Sequence, residues 1–135
     1  MVEVEIFVET EINPTEDEEK VRKAIDNILG NATITVKPAP KGSILNAYAK
    51  GQDALIKLRN IMCNDRVRDA SRRLLFKATR GNTIVFYLNK QVAFAGHVSF
   101  SEETAESPLG PIRFRIETDE PPRLVEWLAE KTEKR

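Results

Sequence analysis

The chain has 135 residues, of which 41% are hydrophobic and 31% are charged, and its 21 basic and 21 acidic residues balance. This length fits one domain, and the hydrophobic fraction is enough for one core but too low for a membrane protein. A neutral chain also lacks the overall basic character that is typical of a dedicated nucleic-acid binder. These numbers therefore disfavour both a membrane protein and a dedicated nucleic-acid binder.

The first part of the chain predicts a strand, a helix and two further strands. The apolar residues at 2, 4, 6 and 8 alternate with Glu3, Glu5, Phe7 and Glu9, which predicts a strand with one exposed face. Because this N-terminus is acidic and alternating, it is unlike a signal or transit peptide, and we expect a cytoplasmic protein. Helical spacing over 15–29 predicts a helix, and apolar runs at 32–36 and 44–49 predict strands.

Two helices in series are predicted next, over 54–62 and 66–80, separated by Asn64-Asp65. Asn89-Lys90 is a typical two-residue turn, so residues 83–88 and 91–100 are expected to pair as a β-hairpin. No apolar run approaches the roughly 20 residues of a membrane-spanning helix, so we expect no membrane partner.

An acidic loop over 101–111 precedes a strand at 112–116, in which Arg113 and Arg115 point outward, and Pro121-Pro122 opens a last helix. The order is therefore β-α-β-β-α-α-β-β-β-α, within one domain of residues 1–135. Clean alternation in the later strands predicts an α+β fold, a two-layer α/β sandwich whose mostly antiparallel sheet carries helices on one face.

Catalytic and metal-binding residue types are scarce. The chain holds one histidine, His97, and one cysteine, Cys63, whereas hydrolytic and zinc sites need several convergent ligands or an adjacent base. We expect His97 on the outward face of strand 91–100 and Cys63 as a small buried residue. Since neither a G-x-G-x-x-G nor a P-loop motif is present, we predict no cofactor, no metal and no enzyme.

Charge is strongly segregated along this neutral chain. Residues 1–19 hold eight acids and no bases, whereas residues 52–90 hold nine bases and three acids. At 100° per residue, several cations of helix 66–80 share one stripe, and such a row can neutralise phosphates. The candidate nucleic-acid-binding residues are Arg66, Arg73, Lys77, Arg80 and Lys90. The alternative is a solvated helix face whose arginines pair with acidic strands or a second subunit, and Phe76 among them fits base stacking or subunit packing.

The sheet offers a second candidate surface. RNA-recognition sheets combine aromatic rings and cations on one face, and four residues here share the outward parity: Tyr87, His97, Arg113 and Arg115. Val85, Ala93 and Ala95 stand where further stacking rings are needed. A dimer interface therefore fits this face at least as well.

Several motifs resemble an archaeal group designated uncharacterised protein family 0201. Members carry an R-I-L-D-x-A-R-x-x-L helix, an L-N-K-Q-A-A turn, a G-x-V-x-F strand and an L-G-x-I strand. The corresponding segments are 66–75, 88–93, 96–100 and 109–112, with valine at 67 and 92 in place of the usual isoleucine and alanine. The resemblance covers most of the chain.

This resemblance implies a fold similar to the ribosomal protein that holds 5S rRNA, a homodimer, an archaeal cytoplasmic setting and a predicted RNA-binding or exosome-linked role. Three hypotheses follow: a dimeric RNA-associated module, a protein–protein interaction module that uses the same surface, and, ranked last, a small-molecule enzyme.

Overall fold

A seven-stranded antiparallel sheet organises the protein in a computed structural model, which describes residues 3–101 and 110–130. The strands are β1 (Val4–Ile12), β2 (Thr33–Pro38), β3 (Ser43–Lys50), β4 (Thr79–Arg80), β5 (Thr83–Asn89), β6 (Phe100–Ser101) and β7 (Pro111–Thr118). The helices are α1 (Glu18–Ile28), α2 (Ile56–Asn64), α3 (Arg68–Lys77), α4 (Lys90–Phe94) and α5 (Pro121–Leu128), with a 3-10 turn at Gln52–Leu55.

The strand order across the sheet is β2-β3-β1-β7-β5-β4, and β6 pairs with β5 off this path. Every pairing is antiparallel. The predicted α+β class with an antiparallel sheet is therefore confirmed, and the predicted element order is close to the observed one. Most of the predicted acidic loop lies outside the described residues, at 102–109, and this segment includes Leu109 of the last motif. Val2 of the first predicted strand and the charged tail 131–135 lie outside them as well.

One face of the sheet is buried beneath the helices. Alternate residues of β1, β5 and β7 are buried as predicted, at 4, 6 and 8, at 84, 86 and 88, and at 112, 114 and 116. They join a single core with the apolar residues of α1, α2, α3 and α5. Phe114 lies at its centre and stacks on Phe86, with ring centroids 5.0 Å apart. The intervening residues form the opposite face, called the open face below.

The predicted hairpin of strands 83–88 and 91–100 is wrong. Residues 90–94 form the short helix α4, because the Asn89 side chain caps it by accepting a hydrogen bond from the Val92 N–H at 3.0 Å. Gly96 ends the turn with a φ of 86°, and its N–H donates to the Ala93 carbonyl at 3.0 Å. Strand β5 instead pairs with the short β6 and along its length with β7. The Asn-Lys dipeptide is thus a helix cap here, not a β-turn.

Gly42 permits the tight connection between β2 and β3. It has a φ of +74°, and a Cβ built there lies 2.1 Å from the Ile12 carbonyl oxygen. Gly81 shares the left-handed conformation at +59°, but no atom lies within 4 Å of its Cβ position. At Gly42 a side chain is therefore disfavoured both by a clash and by the backbone conformation, whereas at Gly81 it is disfavoured by the backbone conformation alone.

We expect Gly42→Ala to lower the free energy of unfolding by roughly 2–4 kcal/mol, because strain and a backbone clash add together. The matched control Gly81→Ala carries only the left-handed penalty, about 1 kcal/mol. Urea unfolding of both variants measures the difference. Equal losses would show that the β2–β3 turn relaxes away from β1.

Candidate nucleic-acid interface

Helix α3 presents two cations on its solvent face. Arg73 and Lys77 are exposed and lie four residues apart, so their side chains project from one side of the helix. The buried side of α3 is formed by Ser71 and Leu75, with Leu74 partly buried against the core. This packing fixes which side of the helix faces outward.

Arg66 and Arg80 lie beyond the two ends of α3, although both were predicted to be helical. Arg66 adopts a left-handed conformation with a φ of 58° in the turn after α2. Arg80 lies in β4, and its guanidinium donates to the carbonyls of Lys77 and Thr79 at 2.8 and 2.9 Å. Both remain exposed. The cationic row is defined here as Arg66, Arg73, Lys77 and Arg80.

Ion pairing distinguishes the cationic row from its neighbours. Within residues 3–101 and 110–130, none of the ion pairs involves a member of the row. Arg72 on the same helix pairs with Glu126 of α5 and lies 5.1 Å from the ring centre of Phe76. Phe76 itself is exposed, as predicted. Helix α3 thus has one arginine neutralised by α5, whereas Arg73 and Lys77 enter none of these ion pairs; the exposed Asp69, one turn before Arg73, reduces the positive field of the helix at that end.

Lys90 does not join this surface. Its side chain is only 4% exposed, and its Nζ donates to the Glu11 carbonyl at 2.6 Å and to Glu16 Oε1 at 3.0 Å. A buried, paired ammonium cannot reach an RNA phosphate without breaking these contacts. The sequence prediction placed Lys90 in an exposed turn, and the replacement of that turn by α4 is the physical reason for the difference.

Glu16 is held from several sides. The Asn13 backbone N–H and side-chain amide donate to its Oε1 at 2.9 and 2.8 Å. Burial alone raises the pKa of this carboxyl, but the hydrogen bonds from Asn13 and Lys90 and the charge of Lys90 outweigh it, so the pKa of Glu16 is lowered. The lowered pKa favours the charged form of Glu16, and the contact between Glu16 and Lys90 ties α4 to the turn between β1 and α1.

Both chemically distinctive side chains differ from their sequence predictions. Cys63 is exposed instead of buried. His97 lies in the loop after α4, not on a strand, and its Nδ1 is 3.0 Å from Asp65 Oδ1. The His97 side chain is 62% exposed, as expected of a surface residue. His97 consequently does not share a sheet face with the arginines of β7.

The open face brings aromatic rings and arginines together at the middle of the sheet. Arg113 and Arg115 occupy it as predicted, and so does Tyr87. The guanidinium carbon of Arg115 lies 4.4 Å from the ring centre of Phe7, and Phe7 lies 5.2 Å from Tyr48, centroid to centroid. Sequence reasoning missed Phe7 and Tyr48 as candidates, although the parity of β1 had already put Phe7 opposite the core.

Tyr48 is the more exposed of the two rings and is held at its hydroxyl end. Its hydroxyl donates to Glu5 Oε2 at 2.6 Å, which raises the pKa of Tyr48 above its ordinary value. Together with Phe7, Arg113 and Arg115, it lines a shallow groove of about 460 Å³. This volume is within the range of roughly 300–1,000 Å³ that is common for ligand clefts.

Within residues 3–101 and 110–130, no helix is both long and apolar enough to cross a membrane. Likewise, no three histidine, cysteine, aspartate or glutamate residues in the described chain converge on a position that could hold a metal ion.

The chain is similar to known archaeal proteins. A family model described as RNA binding matches residues 5–118. The chain is 41% identical over 123 residues to a UPF0201 protein of Pyrobaculum islandicum, covering 90% of this chain and 86% of that protein. It is 38% identical over 129 residues to a UPF0201 protein of Saccharolobus solfataricus, covering 96% and 89%.

Solved structures share the fold. The UPF0201 protein from Methanococcus jannaschii superposes with a TM-score of 0.82 at 30% identity, over 96% of this chain and 95% of that one. A DUF54 protein from Methanothermobacter thermautotrophicus gives a TM-score of 0.63 at 19% identity, over 96% and 95% of the two chains. At that identity the second likeness concerns the fold alone.

We expect Lys90→Met to lower the free energy of unfolding by about 1–3 kcal/mol, because it leaves the partly buried Glu16 carboxylate without its cation. Lys20→Met, at an exposed position of α1, serves as the control and should change stability by less than about 0.5 kcal/mol. The double variant Lys90→Met/Glu16→Gln should recover part of the loss. Urea unfolding measures all three, and a Lys90→Met variant as stable as the control would contradict the buried pair.

Proposed function

Because the chain belongs to the archaeal UPF0201 family and matches an RNA-binding family model over most of its length, we propose that it is an RNA-binding module that acts as a homodimer. The role that we propose is binding and not catalysis. RNA phosphates are the ligand of the cationic row.

The observation that carries this proposal is the contrast within α3. Arg72 is neutralised by Glu126, whereas Arg73 and Lys77 remain exposed and enter none of the ion pairs among the described residues. Four residues along a helix span about 6 Å, so these two charges lie close together on α3, and the exposed Arg66 and Arg80 lie just beyond the two ends of that helix. Cations in such a row release counterions from a phosphate backbone, and this release drives sequence-independent binding.

Two other features support an RNA ligand. Arg66, Arg73, Lys77 and Arg80 of the basic segment 52–90 are all exposed, so the neutral chain still presents positive charge at α3 and beyond its two ends. Phe76 is exposed next to this row, where a ring can contact a base. Both features fit a ligand that combines negative charge with planar, aromatic groups.

The homodimer is supported by the family resemblance and by exposed large apolar side chains. Ile56 is 45% exposed and Phe94 is 43% exposed, so each offers another surface an apolar contact. A dimer presents two cationic rows on one particle. Both rows can then engage one RNA chain, which raises the apparent affinity through effective concentration.

Reversing two charges tests the cationic row. We expect Arg73→Glu/Lys77→Glu to weaken binding to an RNA hairpin with single-stranded ends and to flatten the dependence of log K on log salt. The slope should fall by roughly 0.7 for each lost single-strand phosphate contact, about 1.4 in total. Fluorescence anisotropy from 50 to 200 mM salt measures both quantities.

The matched control is Lys20→Glu/Lys23→Glu, which makes the same change in net charge on the exposed side of α1. An equal loss in the control would show a general charge effect and contradict the assignment to α3. A wild-type protein that binds no RNA even at low salt would reject the proposed function and favour the protein–protein alternative.

Light scattering at micromolar concentration tests the dimer. We expect a particle of twice the chain mass that persists at 0.5 M salt, because apolar contacts are not screened by ions. Phe94→Lys and Ile56→Lys, made separately, examine the two exposed apolar positions. A monomer at every concentration would contradict the dimer and leave RNA binding to a single chain.

A further inference from the structure

Three rows of residues cross the open face, one beside the other. The central row contains consecutive Cα partners from β2 to β5: Thr33, Tyr48, Phe7, Arg115 and Val85. The row on one side contains Thr35, Asn46, Glu9, Arg113 and Tyr87. Rings and a guanidinium plane therefore occupy the middle of the sheet, and hydrogen-bonding side chains flank them.

The third row connects the open face to the cationic row. Arg80 of β4 pairs with Thr83 of β5, whose partner on β7 is Glu117. Because paired residues share a face of the sheet, Arg80 stands at the edge of the open face. Its guanidinium also binds the carbonyl of Lys77 at the end of α3. A ligand lying along α3 can thus reach the sheet at Arg80.

Acidic residues limit what the open face can accept. Glu5 and Glu9 belong to β1 at the centre of the sheet, and Glu117 pairs with Arg115 at 3.4 Å. Phosphates are repelled from such a centre. A nucleobase is neutral, however, and a carboxylate accepts hydrogen bonds from its exocyclic amino group, as Glu and Asp do from cytosine. The centre of the sheet suits bases, and its cationic edge suits phosphates.

The exposed Tyr48 ring and the guanidinium plane of Arg115 supply the stacking surface, and the half-buried Phe7 ring supports them. Tyr48 is 36% exposed, and Arg115 lies over Phe7 with its guanidinium 4.4 Å from the ring. Unpaired bases stack on aromatic rings and on arginine planes in single-stranded RNA complexes. Asn46 and Glu9 are direct partners across β1 and β3, next to these rings, so a stacked base has an amide and a carboxylate beside its edge.

We propose that the open face binds unpaired nucleobases of single-stranded RNA, with one base stacked on Tyr48 beside the Arg115 guanidinium, its edge contacted by Asn46 and Glu9, and the backbone leaving past Arg80 toward α3. This inference rests on the proposed function and specifies its substrate class. A duplex cannot use this site, because its bases are already stacked and paired.

A second copy of the chain is the competing occupant of this face. Covering it with protein would remove Glu5 and Glu9 from water, and desolvating carboxylates is costly unless each gains a partner of good geometry. Single-stranded RNA leaves the face partly hydrated and gives Glu9 a donor. The charge pattern therefore favours RNA over a dry interface between copies.

The test uses the full chain and two labelled RNAs: an unstructured strand of about 12 nucleotides, within the usual site size of roughly 4–16, and a blunt duplex of the same length. We expect Tyr48→Ala to weaken binding of the single strand roughly tenfold and to leave duplex binding unchanged. The salt slope should stay at the wild-type value, because stacking releases no counterions.

Two further variants distinguish the contribution of the aromatic ring from those of the hydroxyl group and of a non-aromatic apolar side chain. Tyr48→Phe keeps the ring and removes only the hydrogen bond to Glu5, so it should bind the single strand within about twofold of wild type. Tyr48→Leu keeps an apolar side chain without a flat ring and should lose affinity as Tyr48→Ala does. Urea unfolding confirms that each variant is folded before binding is measured.

The outcomes distinguish this inference from the proposed function. If the wild type binds RNA with a steep salt slope but Tyr48→Ala and Tyr48→Leu bind the single strand normally, the inference fails and the cationic row stands. Equal losses for strand and duplex would also overturn it. If Tyr48→Ala turns a dimer into a monomer in light scattering, a second copy occupies the face. If the wild type binds neither RNA, both proposals fail together.

Discussion

The two-residue period of the central strands is the constraint on which the rest of the structure depends. In β1, β7 and β5 every second side chain enters the core, and the register of the antiparallel pairs keeps those side chains on the same face. A slip of one residue would exchange Phe114 for Arg113 or Arg115 in the core. The buried face therefore determines both the surface on which the helices pack and the residues that remain on the open face.

The same constraint explains how a neutral chain presents different electrostatic surfaces. Strand β1 places its glutamates on the open face because its apolar residues occupy the core, and β7 places its arginines beside them for the same reason. Helix α3 is oriented by Leu75 and by the Arg72–Glu126 pair, which leaves Arg73 and Lys77 outside. Charge segregation along the sequence thus becomes segregation in space only after packing has oriented each element.

Residues 84–88 and 112–116 show what the sequence predicts well. Their alternation comes from burial of one face, and this pattern is visible in the residue order itself. Residues 90–94 show the opposite case. Alternating Val92 and Phe94 suggested a strand, but the buried position of Lys90 depends on Glu16, which lies 74 residues away in the chain. A contact of that kind leaves no periodic signal near either residue.

The candidate site was also predictable only in part. Arg73 and Lys77 follow from helical geometry, because both lie inside α3 and the core fixes its rotation. Arg66 and Arg80 were assigned to the same helix although the left-handed turn at Arg66 and the strand at Arg80 shorten it at both ends. The groove around Tyr48 depends on which strands become neighbours in the sheet, and strand order is a property of the whole fold.

The two edges of the sheet have a consequence for association between copies. One edge is formed by β4 and β6, which are each two residues long, and the other by β2, which ends in Lys37-Pro38, a cation followed by a residue without a backbone N–H. Short, charged or proline-bearing edges are poor templates for adding a strand from another molecule. Such edges disfavour continuous growth by strand addition between copies, and they favour association through side-chain contacts on the faces of the sheet.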